Sequence, residues 1–441
     1  MAIRGAIFDF DGTLVDSMPM WTDVCVRLLR RHGVEDAERI FAERESLDME
    51  QKCVWYHENL GIGESPAELY EELREDVLRA YRQEVRRFSG CRHFLEELRA
   101  RGVPMVIASA TPADLLREGL EAQGLAEFFQ DVVFAGDVGM SKDHPHVYVA
   151  ACERLGTDRE STWVFEDAPF GVRAAARAGF PTAALFNDHD GRDERFLRRW
   201  ATVVLHGYEN LHAADLEGLA PRTLHALIVG GSPQPSSVPL VSELAARADI
   251  VIAADGGANV LMSAGVAPNA FCGDEDSVSS EASAWAHEHA DKVVRHPVEK
   301  DDTDLGLCVA LAREEADGRG AALRLTFTCV SGGRSDHALA VWGVLARAAD
   351  ASPAIEEDDY NCQVLSPIGM PEYRLENHEG TTLSAIALAS DTVASAWGMR
   401  WNLDHDPLEP LSDLGISNRV TSANAGVCCH SGVLAVMEVH V

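Results

Sequence analysis

Two acidic arrangements stand out for the chemistry they could do. The first is IFDFDGTLVDS, residues 7–17, where Asp9 and Asp11 stand two positions apart just past an apolar run. At the end of a strand, with Gly12 permitting a turn, both carboxylates could reach one pocket. A solitary D-x-D is more often plain loop polarity. Three later strand ends add to it: Ser109 after VPMVIA, Lys142 after a glycine-containing stretch, and Glu166 with Asp167 after TWVF. A hydroxyl can hold a phosphate oxygen, a lysine can neutralise phosphate as a point charge, and grouped carboxylates suit a hard divalent cation. In this order they form a coherent site for metal-assisted phosphoryl transfer. Open parallel sheets bind their ligands at the strand carboxyl ends.

The second arrangement is EKDDTD, residues 299–304, with four carboxylates in six positions. By itself it reads as a solvated acidic patch. Its company changes that reading: AADGGAN at 253–259 and CGDEDS at 272–277 lie upstream, SGGRSDH at 331–337 and GISNR at 415–419 downstream. Asp274 and Asp276 repeat the i, i+2 spacing, and with Asp301 and Asp304 they could hold magnesium through oxygen ligands. Paired glycines, including Gly256 and Gly257 after Asp255, could bring phosphate close to backbone N–H groups. Arg334 offers a planar, multi-donor partner for phosphate oxygens.

The order DFDGTLVDS, ASA at 108–110, SKDHPHVYVAAC, then VFEDAPFGVRAAARAGF resembles the haloacid-dehalogenase superfamily. It is similar to the beta-phosphoglucomutase-like phosphatases with a helical cap, over roughly residues 1–205. The resemblance implies a nucleophilic Asp9 that forms an aspartyl-phosphate and an Asp11 that serves as general acid and base. It also implies phosphoryl binding by Ser109 and Lys142, and a magnesium site of Asp9, Asp11, Glu166 and Asp167. Lys142-Asp143 stands where that family usually has Lys-Pro, which leaves the following turn open.

Residues 222–441 resemble thiamine pyrophosphokinase, an ATP- and magnesium-dependent transferase with an α/β domain, a β-sandwich and a homodimeric assembly. The resemblance implies metal ligation by Asp274, Asp276, Asp301 and Asp304. Asp255, Gly256, Gly257, Thr303, Arg334, Asp336 and His337 would lie around the nucleotide, and Trp401, Ser417 and Asn418 around thiamine. Glu275 replaces a usual phenylalanine. If the first half hydrolyses thiamine monophosphate, the halves become consecutive steps toward thiamine diphosphate. The rivals are a different small phosphate for the first half (a sugar phosphate, a phosphomutase substrate or a pyrimidine precursor) and a degenerate scaffold or thiamine sensor.

These residues need a frame to position them. Short β-branched or aromatic runs at 5–8, 103–108, 132–135 and 162–165, with amphipathic stretches at 91–101 and 145–155, predict an α/β domain over 1–215. The strand-poor segment 18–88 reads as an inserted helical cap. Runs at 224–229, 249–254 and 325–330 predict a second α/β domain over 222–350. After an acidic, poorly structured 350–360, short strands at 362–368, 383–389, 392–397 and 433–439 predict a β-sandwich over 360–441.

The chain has 441 residues and a formal net charge of −33. Residues 1–220 carry 25 basic and 40 acidic side chains, and residues 221–441 carry 13 and 31, so the acidity is global. No basic stripe is present, which argues against nucleic acid and anionic membranes as partners. The ten cysteines include no C-x-x-C, hence neither a disulfide framework nor a zinc site is expected. The opening residues lack a signal-peptide pattern and no run suffices to cross a bilayer, so a cytoplasmic protein is expected.

Overall fold

A computed structural model of the chain describes residues 2–44, 47–187, 192–297 and 302–440. Asp301 lies outside the described residues, as do Glu299 and Lys300 of the same acidic run. The chain divides into two compact units, Met1–Arg222 and Thr223–Val441.

The first unit is built on six strands: β1 (Gly5–Phe8), β2 (Met105–Ser109), β3 (Val132–Phe134), β4 (Thr162–Glu166), β5 (Thr182–Leu185) and β6 (Val203–Leu205). They pair in parallel in the order β3-β2-β1-β4-β5-β6. β1, β2, β4 and β5 are buried along their whole length, which explains why they read as continuous apolar runs. Between β1 and β2 the helices Met18–Arg31, Ala37–Ala42, Met49–Leu60 and Pro66–Gln83 make the cap region, and helix Cys91–Ala100 follows them. Helix Met49–Leu60 opens on a capping box between Asp48 and Gln51, and helix Pro66–Gln83 on Ser65. The strands at 182–185 and 203–205 were not expected, because TAAL and VVL are too short to stand out from neighbouring helical sequence.

The second unit holds β7 (Thr223–Val229), β8 (Ile250–Ala254), β9 (Ala270–Gly273), β10 (Lys292–Arg295), β11 (Ala322–Thr328) and β12 (Ala354–Glu356). These pair in parallel in the order β10-β9-β8-β7-β11-β12. β13 (Tyr360–Leu365) then pairs antiparallel with β12, and the sheet runs on without a break. The later strands are β14 (Glu372–Glu376), β15 (Thr382–Ala387), β16 (Val393–Trp397), β17 (Leu403–Pro407), β18 (Asn418–Arg419), β19 (Asn424–Ser431) and β20 (Leu434–Val439). The order β13-β20-β15-β18 completes the ten-stranded sheet, and β14-β19-β16-β17 forms a four-stranded one. Leu365, Leu383, Val436, Leu375, Val427 and Ala396 fill the space between the two layers. That is the β-rich sandwich region, one of whose layers is hydrogen-bonded to the α/β sheet.

One expectation is corrected here. Residues 350–360 are not poorly structured: β12 occupies 354–356 and Glu357 is buried. Acidic composition hid a strand edge whose carboxylate has an internal task, described below. Among the described residues no helix is long and apolar enough to cross a membrane.

Candidate active sites

In the first unit the carboxyl ends of β1, β2 and β4 converge. Asp9 follows β1, Ser109 ends β2, and Glu166 ends β4 with Asp167 next. Oxygens of Asp9, Glu166 and Asp167 lie within 4.8 Å of one another, and all three residues are buried. An all-oxygen donor set of that kind fits magnesium. Lys142 Nζ lies 2.7 Å from Asp9 Oδ1 and also pairs with Glu166. Glu166 is otherwise held by Tyr148, whose hydroxyl donates at 2.9 Å, and by the N–H groups of Asp167 and Ala168 at 2.8 and 2.9 Å. It is therefore both a member of the carboxylate cluster and the clamp that aims Lys142.

Burial pushes the Asp9 carboxyl well up, against the lysine and with the neighbouring carboxylates adding to the rise. Burial pulls the lysine down, but Asp9 and Glu166 outweigh it and hold Lys142 above its ordinary range. Gly12 has φ +77°, and a Cβ there would meet Asp167 Oδ2 at 2.0 Å. Only glycine allows the turn and the carboxylate in the same place. The turn after Lys142, left open by Asp143, closes when Ser141 donates to Asp143 and His144 N–H donates to Ser141 O.

Asp11 has a different environment. Its carboxylate accepts from Ser17 Oγ at 2.6 Å, from Tyr81 OH at 2.9 Å to each oxygen, and from Thr111 Oγ1 at 2.9 Å. Burial raises its affinity for a proton, and these donors, with Trp21, oppose the rise. Thr111 N–H donates to Ser109 Oγ at 3.0 Å. The cavity in front is lined by Asp9, Asp11, Ser109, Lys142 and Asp167, and by Trp21, Phe41, Met49 and Lys52 from the cap. It also receives Arg192, whose Nη1 lies 2.6 Å from Asp167 Oδ2. Tyr81, Thr111 and Arg192 escaped the sequence reading because none lies within a quoted motif. Only the fold brings them to Asp11 and Asp167.

In the second unit Asp255, Asp274 and Asp276 bring oxygens within 4.8 Å of one another beyond β8 and β9. Asp255 is buried at φ +40° and accepts from the N–H groups of Glu275 and Ser277 at 2.8 and 2.9 Å. Burial, then the charges of Asp274 and Asp255, pushes the Asp276 carboxyl up. Asp304 opens helix Asp304–Arg319 and contributes to that rise. Thr303 is the N-cap of this helix, its hydroxyl accepting from Gly306 N–H at 3.2 Å. This set also fits an oxygen-loving divalent ion.

Glu275 turns its carboxylate to Ser283, His287 and Arg295, at 2.7, 3.1 and 2.7 Å. The Ser283 hydrogen bond leads the causes that hold it below the usual carboxylate range. Gly257 is needed for packing: a Cβ there would meet Val229 O at 1.9 Å. Gly256 has Ser277 Oγ 2.9 Å from its would-be Cβ. Arg334 is exposed and pairs with Asp336 at 2.7 Å, while His337 is exposed beside them. Trp401 is 56% exposed with the Arg400 guanidinium 4.7 Å from its ring centroid. Asn418 accepts from Trp401 N–H at 3.1 Å and donates to Trp401 O at 2.7 Å. Ser417, at φ +59°, donates its N–H to Ser384 Oγ at 3.1 Å.

Each unit carries a cluster of three aspartate or glutamate side chains at its strand ends, and comparison with known proteins finds a family match for each. Residues 6–185 match the haloacid dehalogenase-like hydrolases, and residues 241–356 match the thiamin pyrophosphokinase catalytic domain. The first half is 30% identical over 188 residues to validoxylamine A 7'-phosphate phosphatase of Streptomyces hygroscopicus subsp. limoneus, covering 42% of this chain and 86% of the relative. It is 30% identical over 183 residues to phosphorylated carbohydrates phosphatase of Thermotoga maritima, covering 40% and 82%. A solved structure of thiamine pyrophosphokinase from Bacillus subtilis is similar at 22% identity and TM-score 0.41, over 49% of this chain and 98% of that one. Through its first half the chain belongs to the haloacid dehalogenase-like hydrolases. It joins such a phosphatase domain to a thiamin-pyrophosphokinase-like domain.

Proposed function

We propose that the first unit is a magnesium-dependent phosphatase for a small phosphorylated carbohydrate or related monoester, and that the second transfers the pyrophosphoryl group of ATP to thiamine. The observation that carries the first part is the buried group of Asp9, Glu166, Asp167 and Lys142 facing a cavity that also holds Asp11. The names of the two curated relatives support a phosphorylated carbohydrate over other esters.

In this reading an Asp9 oxygen attacks phosphorus and the P–O bond to the alcohol breaks. Asp11 gives its proton to the departing alkoxide, then takes one from the water that cleaves the aspartyl-phosphate. Magnesium supplies charge neutralisation between carboxylates and phosphate. Lys142 and Ser109 hold the non-reacting oxygens, and Lys142 together with the ion keeps Asp9 ionised against its burial.

In the second unit the thiamine hydroxyl is the nucleophile, AMP leaves, and the protein aligns the two and stabilises spreading charge. Asp255, Asp274, Asp276 and Asp304 would hold the ion, with Asp301 proposed as a further ligand by resemblance. Arg334 and Asp336 would border the nucleotide, and Trp401, Ser417 and Asn418 the thiamine. The active form would be a homodimer through this half.

The presence of both domains in one chain favours a second reading, in which the phosphatase substrate is thiamine monophosphate. A panel of hexose and hexitol phosphates, phosphoglycolate and thiamine monophosphate, with magnesium and phosphate release as readout, decides between them. The primary reading expects sugar esters to be hydrolysed best and Asp9→Asn to abolish release. AMP formation from ATP and thiamine should persist in Asp9→Asn and fail in Asp274→Asn. Preferential hydrolysis of thiamine monophosphate would replace the first reading by the second.

A further inference from the structure

Lys142 is the cation that the phosphatase motifs account for. Arg192 is a second one, beyond β5 and outside those motifs. Its side chain is 7% exposed and that of its partner Asp167 3% exposed. The three clustered carboxylates are thus divided between two bases: Lys142 takes Asp9 and Glu166, and Arg192 takes Asp167.

The two bases are not equivalent. Lys142 is held between two carboxylates beneath the cavity. Arg192 meets the one cluster member that also faces the Asp9 turn, with Thr13 Oγ1 donating to Asp167 Oδ1 at 3.3 Å and the guanidinium on Oδ2. A guanidinium keeps its charge at any accessible pH, so a divalent ion drawing on Asp167 meets a fixed positive charge already there. Asp9, Glu166 and Asp167 carry more negative charge than their direct partners Lys142 and Arg192 offset, so the cluster still attracts a divalent ion. The phosphomonoester then brings further negative charge, and a guanidinium freed from Asp167 has the planar fork to meet two phosphate oxygens.

We propose that Arg192 is a resident competitor for the metal: it holds Asp167 in the ion-free site, yields it to the entering divalent ion, and then binds the phosphate of the substrate. This rests on the phosphatase reading, and it predicts a sign. Removing a competitor tightens metal binding, whereas removing a residue that merely orients Asp167 weakens it.

The test uses the full chain carrying Asp274→Asn and Asp276→Asn, so that the second acidic cluster does not contribute. Mn2+ binding is read from the electron paramagnetic resonance of the free ion, and orthophosphate binding to the ion-loaded protein by calorimetry. Arg192→Gln should bind Mn2+ about tenfold more tightly and orthophosphate about tenfold more weakly. Arg192→Lys, which keeps the charge but not the fork, should retain the parent Mn2+ affinity and bind orthophosphate more weakly. Unchanged or weaker Mn2+ binding in a folded Arg192→Gln protein overturns the proposal. If that variant does not fold, unchanged orthophosphate binding in Arg192→Lys overturns it instead. Both readouts are independent of turnover, so a chain that hydrolysed no ester in the panel would defeat the phosphatase reading while leaving the metal result standing.

Discussion

Tyr81, on the cap helix Pro66–Gln83, sets its hydroxyl 2.9 Å from both carboxylate oxygens of Asp11. Tyr81 is fully buried, and burial leads the causes that push its own pKa well up, so its hydroxyl keeps the proton it donates to Asp11. The cap thus reaches the proposed acid and base directly. A hydroxyl donated to the ionised carboxylate favours that form, which the water-activating step requires. Tyr81→Phe should therefore slow hydrolysis of the aspartyl-phosphate more than its formation, lowering kcat about tenfold. Rapid-quench trapping should find more phosphorylated Asp9 at steady state than in the parent. An unchanged phosphoenzyme fraction would remove Tyr81 from the mechanism.

Glu357 is the buried carboxylate between β12 and β13. It accepts from Cys329 N–H at 3.0 Å, Val330 N–H at 2.9 Å and Ser331 Oγ at 3.1 Å, and from the Ser236 hydroxyl. It therefore ties the loop after β7 to the loop after β11, which carries Arg334. Cys329 stands at φ +58°, a conformation that a cysteine adopts only when its surroundings impose it. Glu357→Ala leaves two backbone donors in the interior without their acceptor, a loss of about 2–3 kcal/mol. Urea unfolding followed by a probe in the second unit should show that loss. The ATP KM should rise, with Glu357→Gln intermediate because it keeps one acceptor oxygen.

Much of the architecture was legible because the interiors of buried parallel strands must be apolar, as GAIF, MVIA and WVF are. Asp9 and Asp167 were legible for a related reason: each directly follows such a strand, so the strand end fixes its place. Tyr81 and Thr111 were not, since their role depends on a cap helix and a loop folding back over Asp11 across 70 and 100 residues. Glu357 was misread for a different reason. EEDD at 356–359 has the composition of a solvated turn, and only the donors of two distant loops make one of those carboxylates internal. Glycine at 257 suggested a phosphate cradle, whereas the close approach of Val229 O already requires it.

Leu411, Leu414 and Ile416 are 65%, 84% and 49% exposed on a six-residue stretch of the sandwich region. Single exposed leucines need no explanation, but three together mark a surface that another chain could cover. The homodimer proposed for this half would bury them. Leu414→Asp should convert a dimer into a monomer in sedimentation at micromolar concentration while phosphatase activity persists. A parent chain that sediments as a monomer at that concentration would end the proposal.

Trp401 is mostly exposed, yet one face of its indole is not free: the Arg400 guanidinium lies 4.7 Å from the ring centroid. Asn418 grips the tryptophan backbone from both sides, so the ring's base is fixed while its face is contested. A cationic thiazolium stacking there would gain about 1–2 kcal/mol, but it would have to displace a cation that already receives the same attraction. Trp401→Ala should accordingly raise the thiamine KM about tenfold, matching that energy. Arg400→Ala should act in the opposite direction and lower it several-fold, because a competitor has been removed from the ring. Initial rates of AMP release against thiamine concentration measure both. If Arg400→Ala raises KM, the guanidinium supports thiamine binding instead of opposing it, and the stacking face of Trp401 must be sought elsewhere.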